Sequence, residues 1–599
     1  MTGYRAPLRD MDFVLRHVVG IEELAGFEGW EHADPGVVMD LLAEAGRFAS
    51  DIVAPLNQTG DIAGCVRHDD GSVATPAGFV AAYRAYVEAG WGTVPFDPAY
   101  GGGGFPWVVG VALLETLASA NLALSVCLLL TQGAIDMLEA HGDDHLRATY
   151  LPKLITGEWT GTMCLTEPDA GSDLGAIRTR AIPQPDGTYK IFGTKIFISF
   201  GEHDLASNIV HLVLARIPDA PAGTRDISCF VVPKHVPAQD GSLGTRNDVT
   251  CVSIEHKVGI NASPTCVLSF GDGDGATGFL VGDEHQGMRY MFTMMNQARL
   301  LVGVQALGAA ERAYQQALTY AGDRVQGRAV NAPPGQGSMI VEHPDVRRML
   351  LTMKSSIEAM RRLAYWNAAA IDRSRRHPDP GAREQADDLA TLLTPLTKGW
   401  CTEVGTDVAS LGIQVHGGVG YVEETGAAQY LRDARITSIY EGTNGIQAID
   451  FVIRKLPLRG GTVVKDHLAR MAAVDDDLAA AGVRFERTRA ELRSALAALT
   501  EATVWLESAA GSPNDLLAAA TPYLRLFATV TAGWLMARSA LIAQAEADAG
   551  AGDSAFLDSK VVTALFFCEQ LLPVARGLVP AVTAGAEPLF ALENAQLCD

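Results

Sequence analysis

Several signatures of common enzyme chemistry are missing from this 599-residue sequence. No H-E-x-x-H or G-x-S-x-G string occurs, which disfavours a zinc protease and an α/β-hydrolase. There is also no G-x-x-x-x-G-K-[ST] string, and no G-x-G-x-x-G string leads from a predicted strand into a predicted helix. A kinase-type phosphate-binding loop and a Rossmann dinucleotide site are therefore disfavoured too.

Cysteine and positive charge are also scarce. The nine cysteines are scattered and include no C-x-x-C pair, which argues against a disulfide framework and against a cysteine-based metal site. We therefore expect no metal. The 47 lysines and arginines against 70 aspartates and glutamates leave a net charge of −23. A surface this acidic repels phosphate backbones, so we expect no nucleic-acid partner.

Long hydrophobic runs suited to a membrane are lacking as well. The most apolar stretch, residues 108–130, is interrupted by Glu115 and Asn121 and predicts a buried helix rather than a membrane span. Acidic residues precede any apolar run after Met1, so we expect no signal peptide. These features, together with cysteine usage typical of a reducing compartment, predict a cytoplasmic protein.

The remaining composition is that of an ordinary globular protein, and its local patterns change along the chain. Helical periodicity gives way to short segments rich in β-branched and aromatic residues, and then returns. We predict an α+β multidomain fold with an N-terminal extension (1–34), an N-terminal helical domain (35–160), a β-barrel domain (161–284), a C-terminal four-helix-bundle domain (285–458) and an additional helical domain (459–599).

Turn residues punctuate the predicted strands. Three short segments each predict a turn between two strands: Pro185-Asp186-Gly187, Gly193-Thr194 and Pro218-Asp219. The run from Asp272 to Gly275 lacks the glycine and glutamate positions of a calcium loop, so it predicts a hairpin turn.

Three short strings combine glycine and polar residues in ways that could carry chemistry. Residues 165–173 (LTEPDAGSD) begin where strands replace helices, and could form an anion-binding nest or an ordinary turn. Residues 414–421 (QVHGGVGY), taken alone, are better explained as a helix C-cap with successive glycines. Residues 439–447 (IYEGTNGIQ) place Glu441 before a helical run, where it is equally well explained as an exposed capping acid.

In this order and spacing, the three strings resemble the acyl-CoA dehydrogenase family. The resemblance covers residues 35–455 and extends to Lys195-Ile196-Phe197-Ile198-Ser199, Arg299 and Arg324. The N-terminal segment, an insert at residues 329–339 and the tail after Gly460 resemble the longer bacterial branch of that family. This branch includes broad-range fatty acyl-CoA dehydrogenases and 3-methylmercaptopropionyl-CoA dehydrogenase.

The resemblance implies α,β-dehydrogenation of an acyl-CoA thioester to the trans-2-enoyl-CoA, with FAD accepting hydride at flavin N5. Glu441 matches the catalytic base of the family, and burial against an acyl chain and a flavin raises the basicity of such a carboxylate. The Glu441 backbone N–H and a ribityl hydroxyl of FAD would form the oxyanion hole.

The resemblance also implies which residues contact the ligands. The implied FAD contacts are Leu165, Thr166, Ser172, Phe197, Ser199, Arg324, Gln414, Gly418, Thr443 and Asn444. The implied substrate contacts are Ser172, Asn296, Arg299 and Gly442. Phe197 replaces the usual tryptophan, Ser199 a threonine and Asn296 a frequent aspartate, and Gln326-Gly327 replaces Thr-Phe. Since the family shares FAD between subunits, through Arg324, Gln414 and Gly418 here, we expect a homodimer or a dimer of dimers.

Three functions remain open at this point. The first is a dehydrogenase of fatty-acid β-oxidation that passes electrons to electron-transfer flavoprotein, with a methylthio-acyl substrate as one variant. The second is an acyl-CoA oxidase that uses oxygen. The third, a nucleic-acid-binding relative without dehydrogenase activity, needs a basic C-terminal face. That region instead contains Asp475-Asp476-Asp477, so we rank it last.

Overall fold

The protein, described as a computed structural model, divides into two units. The structure describes residues 3–218, 223–238 and 240–598. One unit, here called the mixed unit, consists of Gly3–Ala6 and Asp40–Leu301 and contains all the described strands. The other, here called the helical unit, consists of Pro7–Met39 and the described residues from Val302 onward. The predicted order of helical, β and helical regions, followed by a further helical region, is confirmed.

Ten strands are found among the described residues. They are β1 Val66–Arg67, β2 Val73–Ala74, β3 Trp159–Cys164, β4 Arg180–Pro183, β5 Tyr189–Ser199, β6 Asn208–Ala215, β7 Ser228–Pro233, β8 Val249–Ile254, β9 Thr265–Phe270 and β10 Ala276–Leu280. β1 and β2 form a small hairpin, which the sequence did not predict. The other eight form one sheet in the order β3-β6-β7-β10-β5-β9-β8, with β4 beside β5.

The strand pairing explains the strongly apolar segments in the middle of this sheet. β6 and β7 are buried along their whole length, so their sequences are nearly continuous apolar runs rather than alternating ones. β3 runs parallel to β6, and the other pairs of the sheet are antiparallel. The pairing order is an open path from β3 to β8, so no described strand pair closes a barrel.

One of the predicted turns joins two paired strands, and the turn at Pro218-Asp219 extends outside the described residues. Pro185-Asp186-Gly187 links β4 and β5 as predicted. The turn at Gly193-Thr194 is wrong, because β5 runs through both residues. Gly193 allows a close approach there, since a Cβ would lie 2.5 Å from Thr179 Oγ1. The hairpin at Asp272–Gly275 is also wrong, because β9 and β10 lie on opposite sides of β5.

Helices make up most of the rest of the chain. They are α1 Leu8–Val14, α2 Ile21–Ala25, α3 Pro35–Phe48, α4 Leu56–Ala63, α5 Phe79–Glu88, α6 Trp107–Ala120, α7 Leu122–His141, α8 Asp144–Thr156, α9 Gly287–Asp323, α10 Pro344–Arg376, α11 Pro380–His416, α12 Ala427–Arg435, α13 Asn444–Asp450, α14 Thr462–Ala472, α15 Val474–Ala480, α16 Glu486–Ser508, α17 Pro513–Asp548, α18 Ser554–Phe566 and α19 Val574–Thr583.

The most apolar stretch forms two buried helices, α6 and α7, rather than the single helix predicted. They separate at Asn121, whose side-chain oxygen accepts from the Leu124 N–H at 3.1 Å and caps α7. Three described stretches are long and apolar enough to cross a membrane: Leu122–His141, Pro513–Asp548 and Ser554–Thr583. The protein itself buries 94%, 83% and 39% of their apolar windows, respectively. The absence of a membrane span therefore stays a prediction.

Within the helical unit, a buried ionic cluster joins segments that are far apart in sequence. Lys560 Nζ on α18 lies 2.7 Å from Asp10 Oδ1 on α1 and 2.7 Å from Glu358 Oε1 on α10. Arg361 and Arg362 also contact Asp10. Burial alone would raise the pKa of Asp10, but Lys560 and the two arginines hold it well below its usual value. Each charge is therefore compensated, and the first helix is fixed to the last region of the chain.

The additional helical region packs directly on the helices that lead to Glu441. Trp400 on α11 donates from Nε1 to Thr529 Oγ1 on α17 at 3.2 Å, and a Cβ at Gly399 would lie 2.8 Å from Leu524. The Phe451 ring, just after α13, lies 5.1 Å from that of Phe527. α17 therefore supports both α11 and the segment that follows Glu441.

Candidate active site

The residues singled out from the sequence fall into two groups, one in each unit. The mixed unit contains Leu165, Thr166, Ser172, Phe197, Ser199, Asn296 and Arg299. The helical unit contains Arg324, Gln414, Gly418, Glu441, Gly442, Thr443 and Asn444.

In the mixed unit, the chain after β3 is attached to β5. Thr166 C=O accepts from the Ile196 N–H at 2.9 Å, and Lys195 Nζ donates to Leu165 C=O at 2.9 Å. These bonds bring the predicted residues Leu165 and Thr166 to the same part of the sheet as Phe197.

A β-bulge in β5 presents Phe197 to solvent. The pairing of β5 with β9 shifts register between Lys195 and Ile198. Phe197 within this bulge has φ +59° and is 59% exposed, whereas Ile198 is buried. A left-handed aromatic residue costs about 1–3 kcal/mol and persists at sites where the surroundings enforce it. The bulge therefore turns an aromatic face outward that a regular strand would direct elsewhere.

A buried ion pair beneath this segment was missed by the sequence analysis. Lys195 Nζ lies 2.8 Å from Glu167 Oε1, with the two side chains 0% and 7% exposed. The carboxylate also accepts from the N–H groups of Arg178 and Thr179 and from the Thr179 hydroxyl. Burial alone would raise the pKa of Glu167, but Lys195 and these donors hold it below its usual value. The ammonium thus fixes both Leu165 and Glu167.

Around this bulge, the polar groups that no described residue engages fit a flavin ring. No described residue hydrogen-bonds the hydroxyls of Thr166 or Ser199. Ser199 lies two residues after Phe197 in β5, and Thr166 pairs with Ile196, the residue before Phe197. A planar heteroaromatic group needs this combination of an apolar face and a few polar contacts. Ser172 is exposed in the loop after the Glu167–Ala170 turn, and no described residue engages its hydroxyl either.

Asn296 and Arg299 lie one turn apart on α9. Asn296 is exposed, whereas Arg299 is 6% exposed, with Nη1 3.4 Å from Asn296 Oδ1. The Arg299 guanidinium also lies 5.9 Å from the centre of the Phe292 ring. The pair is therefore assembled, with Asn296 as the accessible member.

In the helical unit, Glu441 lies in a strained turn. Glu441 has φ +58° and Gly442 has φ +84°, so a glutamate occupies the left-handed region that favours glycine. Its side chain is half-buried. The cap of α13 is Thr443, whose hydroxyl accepts from the Ile446 N–H at 3.3 Å. The capping role left open for Glu441 is therefore wrong, and the strain at this residue calls for another explanation.

Neighbouring side chains hold this turn in place. Gln447 is fully buried, and its Nε2 donates to the carbonyls of Glu441 at 3.3 Å and Gly442 at 3.4 Å. The Tyr440 hydroxyl donates to Gln305 Oε1 on α9. Burial, with a smaller contribution from the charge of Glu441, raises the pKa of Tyr440, so this hydroxyl stays protonated.

Asn444 faces the helix bundle through a dense set of hydrogen bonds. Its Oδ1 accepts from Lys398 Nζ at 2.9 Å, and its Nδ2 donates to Gly399 C=O at 3.1 Å and Thr402 Oγ1 at 3.0 Å. The amide is thus engaged by α11, and its predicted contact with FAD stays a prediction. Lys398 was missed, although a lone lysine within the apolar run of α11 was a usable signal.

The remaining predicted residues lie where α9 and α11 end. Arg324 follows α9 and is exposed, and Gln414 and Gly418 are exposed at the end of α11. The rings of Tyr320 and His416 stack at 4.6 Å between centres and hold the two helix ends together. Arg324, Gln414 and Gly418 thus belong to one accessible end of the helical unit.

The two groups differ in what they can do chemically. The mixed unit offers an exposed aromatic ring and free hydroxyls, which suit binding of a planar group. The helical unit offers a half-buried carboxylate on a rigid, strained turn, which suits removal of a proton. It also offers an exposed arginine, which suits an anionic group such as a phosphate.

Four family profiles match successive parts of the chain. The N-terminal, middle and C-terminal domains of acyl-CoA dehydrogenase match residues 39–158, 162–272 and 285–456. A profile described as acetyl-CoA dehydrogenase C-terminal like matches residues 467–593.

Curated relatives match over nearly their full length. The chain is 46% identical to 3-methylmercaptopropionyl-CoA dehydrogenase of Ruegeria pomeroyi, over 95% of this chain and 96% of the relative. It is 36% identical to a broad-specificity linear acyl-CoA dehydrogenase of Mycobacterium tuberculosis, over 99% and 98% of the two chains. The fold is also that of an acyl-CoA dehydrogenase from Bacillus anthracis complexed with FAD. The TM-score is 0.71 at 20% identity, with coverage of 93% and 88%.

Proposed function

This chain belongs to the acyl-CoA dehydrogenase family, and we propose that it catalyses FAD-dependent α,β-dehydrogenation of an acyl-CoA with Glu441 as the base. The observation that carries the proposal is the strained turn at Glu441, with φ +58° on a half-buried glutamate. The cap of the following helix is supplied by Thr443, so the local structure does not need a glutamate here.

Glu441 takes the proton from the α-carbon of the thioester through its carboxylate. A carbon acid of this kind is weak, so the base must be held in reach and shielded from water. Gln447 and Tyr440 fix the backbone around Glu441, which limits the loss of orientation on substrate binding. The Glu441 backbone N–H is a donor suited to the charge that develops on the thioester oxygen.

FAD supplies the acceptor for the hydride that leaves the β-carbon. We propose that the Phe197 ring and the hydroxyls of Thr166 and Ser199 contact its flavin, with Leu165 beside them. We assign Ser172 to the FAD phosphates and the substrate, and Asn296, Arg299 and Gly442 to the substrate. The aromatic exposure at the bulge and the free hydroxyls support this assignment.

The exposed end that contains Arg324, Gln414 and Gly418 suits the adenosine diphosphate part of FAD. We propose that this end serves an FAD bound mainly by a second copy of the chain, in a homodimer or a dimer of dimers. Thr443 and Asn444 stay candidate FAD contacts, although both already have structural partners.

The substrate is an acyl-CoA of the linear or 3-methylthiopropionyl type, because relatives named for both types match over nearly the whole chain. We further propose electron-transfer flavoprotein as the electron acceptor and the cytoplasm as the location.

The test is reduction of the bound flavin by a panel of thioesters. Purified protein should be yellow, and its absorbance near 450 nm should bleach anaerobically with straight-chain or 3-methylthiopropionyl-CoA. Slow reoxidation by air and fast reoxidation by electron-transfer flavoprotein are expected. Protein that takes up no FAD, or whose flavin no thioester reduces, contradicts the proposal. Fast reoxidation by air would identify an oxidase instead.

A further inference from the structure

We propose that Lys398 is a positioning residue for the catalytic base, acting through Asn444 on the Glu441 turn. This inference rests on the proposed function, because it assigns Lys398 a role in the same reaction. All the residues involved lie in the helical unit.

Lys398 is a buried cation in the middle of α11. Its side chain is 0% exposed, and its ammonium donates to Asn444 Oδ1 at 2.9 Å. Removing an ammonium from water is costly unless its hydrogen bonds and charge are compensated. Nearby buried positions of α11 are occupied by apolar residues such as Leu393 and Leu396. An apolar residue at position 398 would avoid the cost of burying a charge. A lysine at this position therefore points to a task that an apolar side chain cannot perform.

The contact with Asn444 reaches the start of α13. Asn444 is the first residue of that helix, and both its amide oxygen and its amide nitrogen are bonded to α11. Only Gly442 and Thr443 separate it from Glu441. Displacing Asn444 from α11 therefore moves the point from which the strained turn begins.

Lys398 and Gln447 hold the turn at two points. Gln447 binds the carbonyls of Glu441 and Gly442 from within α13, and Lys398 fixes the first residue of α13 to α11. A left-handed glutamate returns to a relaxed conformation unless its surroundings over-determine it. Losing either restraint lets the carboxylate move, while the fold around it persists.

α11 is a firm base for this restraint. α17 packs on it through the Trp400–Thr529 hydrogen bond and the Gly399–Leu524 contact, within two residues of Lys398. Glu403 on α11 also faces Asn444, with Oε1 3.4 Å from its Nδ2. Burial raises the pKa of Glu403, which reduces its tendency to compete for the ammonium as an anion.

The test compares Lys398→Met with the matched control Thr406→Ala. Thr406 lies on the same helix, and its hydroxyl donates to Thr402 C=O within α11. Two measurements are made on holoenzyme: flavin reduction at saturating acyl-CoA, and hydrogen–deuterium exchange of residues 439–447. The second reports on the turn without relying on turnover.

For Lys398→Met we expect flavin reduction to slow by about 10²-fold, the effect of roughly 1 Å of misplacement of the base. The acyl-CoA concentration that half-saturates the rate and the FAD content should stay near wild type. Exchange of residues 439–447 should speed up in this variant and stay unchanged in Thr406→Ala. A rate within about threefold of wild type, or unchanged exchange of this segment, overturns the inference.

Two further variants keep the test decisive if Lys398→Met folds poorly. Lys398→Gln retains a donor for Asn444 and should lose less rate than any variant without one. Asn444→Ala should speed exchange of the turn, and adding Lys398→Met should then add little, because the two residues act in series. Additive effects on exchange contradict the inference. Failure of the proposed function is distinguishable, since the wild-type flavin would then not be reduced at all.

Discussion

Breaking the buried Lys195–Glu167 pair should destabilise the segment that carries Leu165 and Thr166. In Lys195→Met, Glu167 keeps its Arg178 and Thr179 donors but loses its counter-charge at a site that is 7% exposed. Leu165 C=O loses its ammonium donor at the same time. Removing one partner of a buried ion pair typically costs about 3–5 kcal/mol, because the remaining charge is uncompensated.

The sign of the pH dependence of stability that Glu167 contributes should also differ between the wild type and Lys195→Met. In the wild type the pKa of Glu167 is held low, so its contribution to stability is lost as pH falls through that pKa. In Lys195→Met, burial becomes the main influence and raises the pKa of Glu167. Protonation of Glu167 then removes the uncompensated buried charge of the variant. The difference in stability between Lys195→Met and the wild type should therefore narrow as pH falls.

The assay is native-state hydrogen exchange of β3 and β5, which reports a local free energy of opening in a chain too large for two-state unfolding. Lys190→Met is the matched control, because Lys190 on β5 donates to Gly275 C=O and Thr277 Oγ1 rather than to a carboxylate. The control should lose about 1 kcal/mol or less. A loss in Lys195→Met no larger than in the control, or a gap that widens toward acid, would refute the reasoning.

Two further predictions concern a buried histidine of β6 and the cofactor. Burial lowers the pKa of His211 to about 3, whereas the same histidine in the unfolded chain takes up a proton near pH 6.5. Lowering the pH from 7 to 5 should therefore destabilise the folded state by about 2 kcal/mol through His211. Native-state hydrogen exchange of β6 at the two pH values should show this loss shrinking in His211→Gln, and an unchanged pH dependence of the opening free energy would contradict it. Arg324→Ala should weaken FAD binding by about 10–100-fold, the range for a charged hydrogen bond. It should also weaken subunit association, whereas Arg328→Ala in the same loop should do neither. FAD retention equal to wild type in Arg324→Ala would show that the adenosine end is bound by other residues.

Sequence patterns predicted the type of each region well where periodicity extends over many residues. The buried strands β6 and β7 and the long helices are examples, because their apolar runs have few alternative structures. Single glycines were less informative. The Gly193-Thr194 pattern predicts a turn, but the missing Cβ of Gly193 instead allows a close approach to Thr179. That approach depends on a strand that the pattern could not place.

The candidate site was only partly predictable for a related reason. Strings near Leu165 and Glu441 mark segments with unusual polarity, whereas the residues that support them lie far away in sequence. Lys398 is 46 residues before Asn444, and Lys195 is 28 residues after Glu167. The left-handed conformation of Glu441 is also invisible in sequence, because it is imposed by Gln447 and α11 rather than by a local propensity.

Stopped-flow flavin reduction by Glu441→Gln tests the central claim most directly. The substitution keeps size and the backbone N–H but removes the base, so acyl-CoA binding and FAD content should stay near wild type. General-base catalysis contributes about 10²–10⁴-fold, and reduction should fall by the upper end of that range at saturating acyl-CoA. Glu424 is an exposed carboxylate in the segment before α12. In the control variant Glu424→Gln, acyl-CoA should reduce the flavin at the wild-type rate. Reduction by Glu441→Gln within about tenfold of wild type would contradict the assignment of Glu441 as the base.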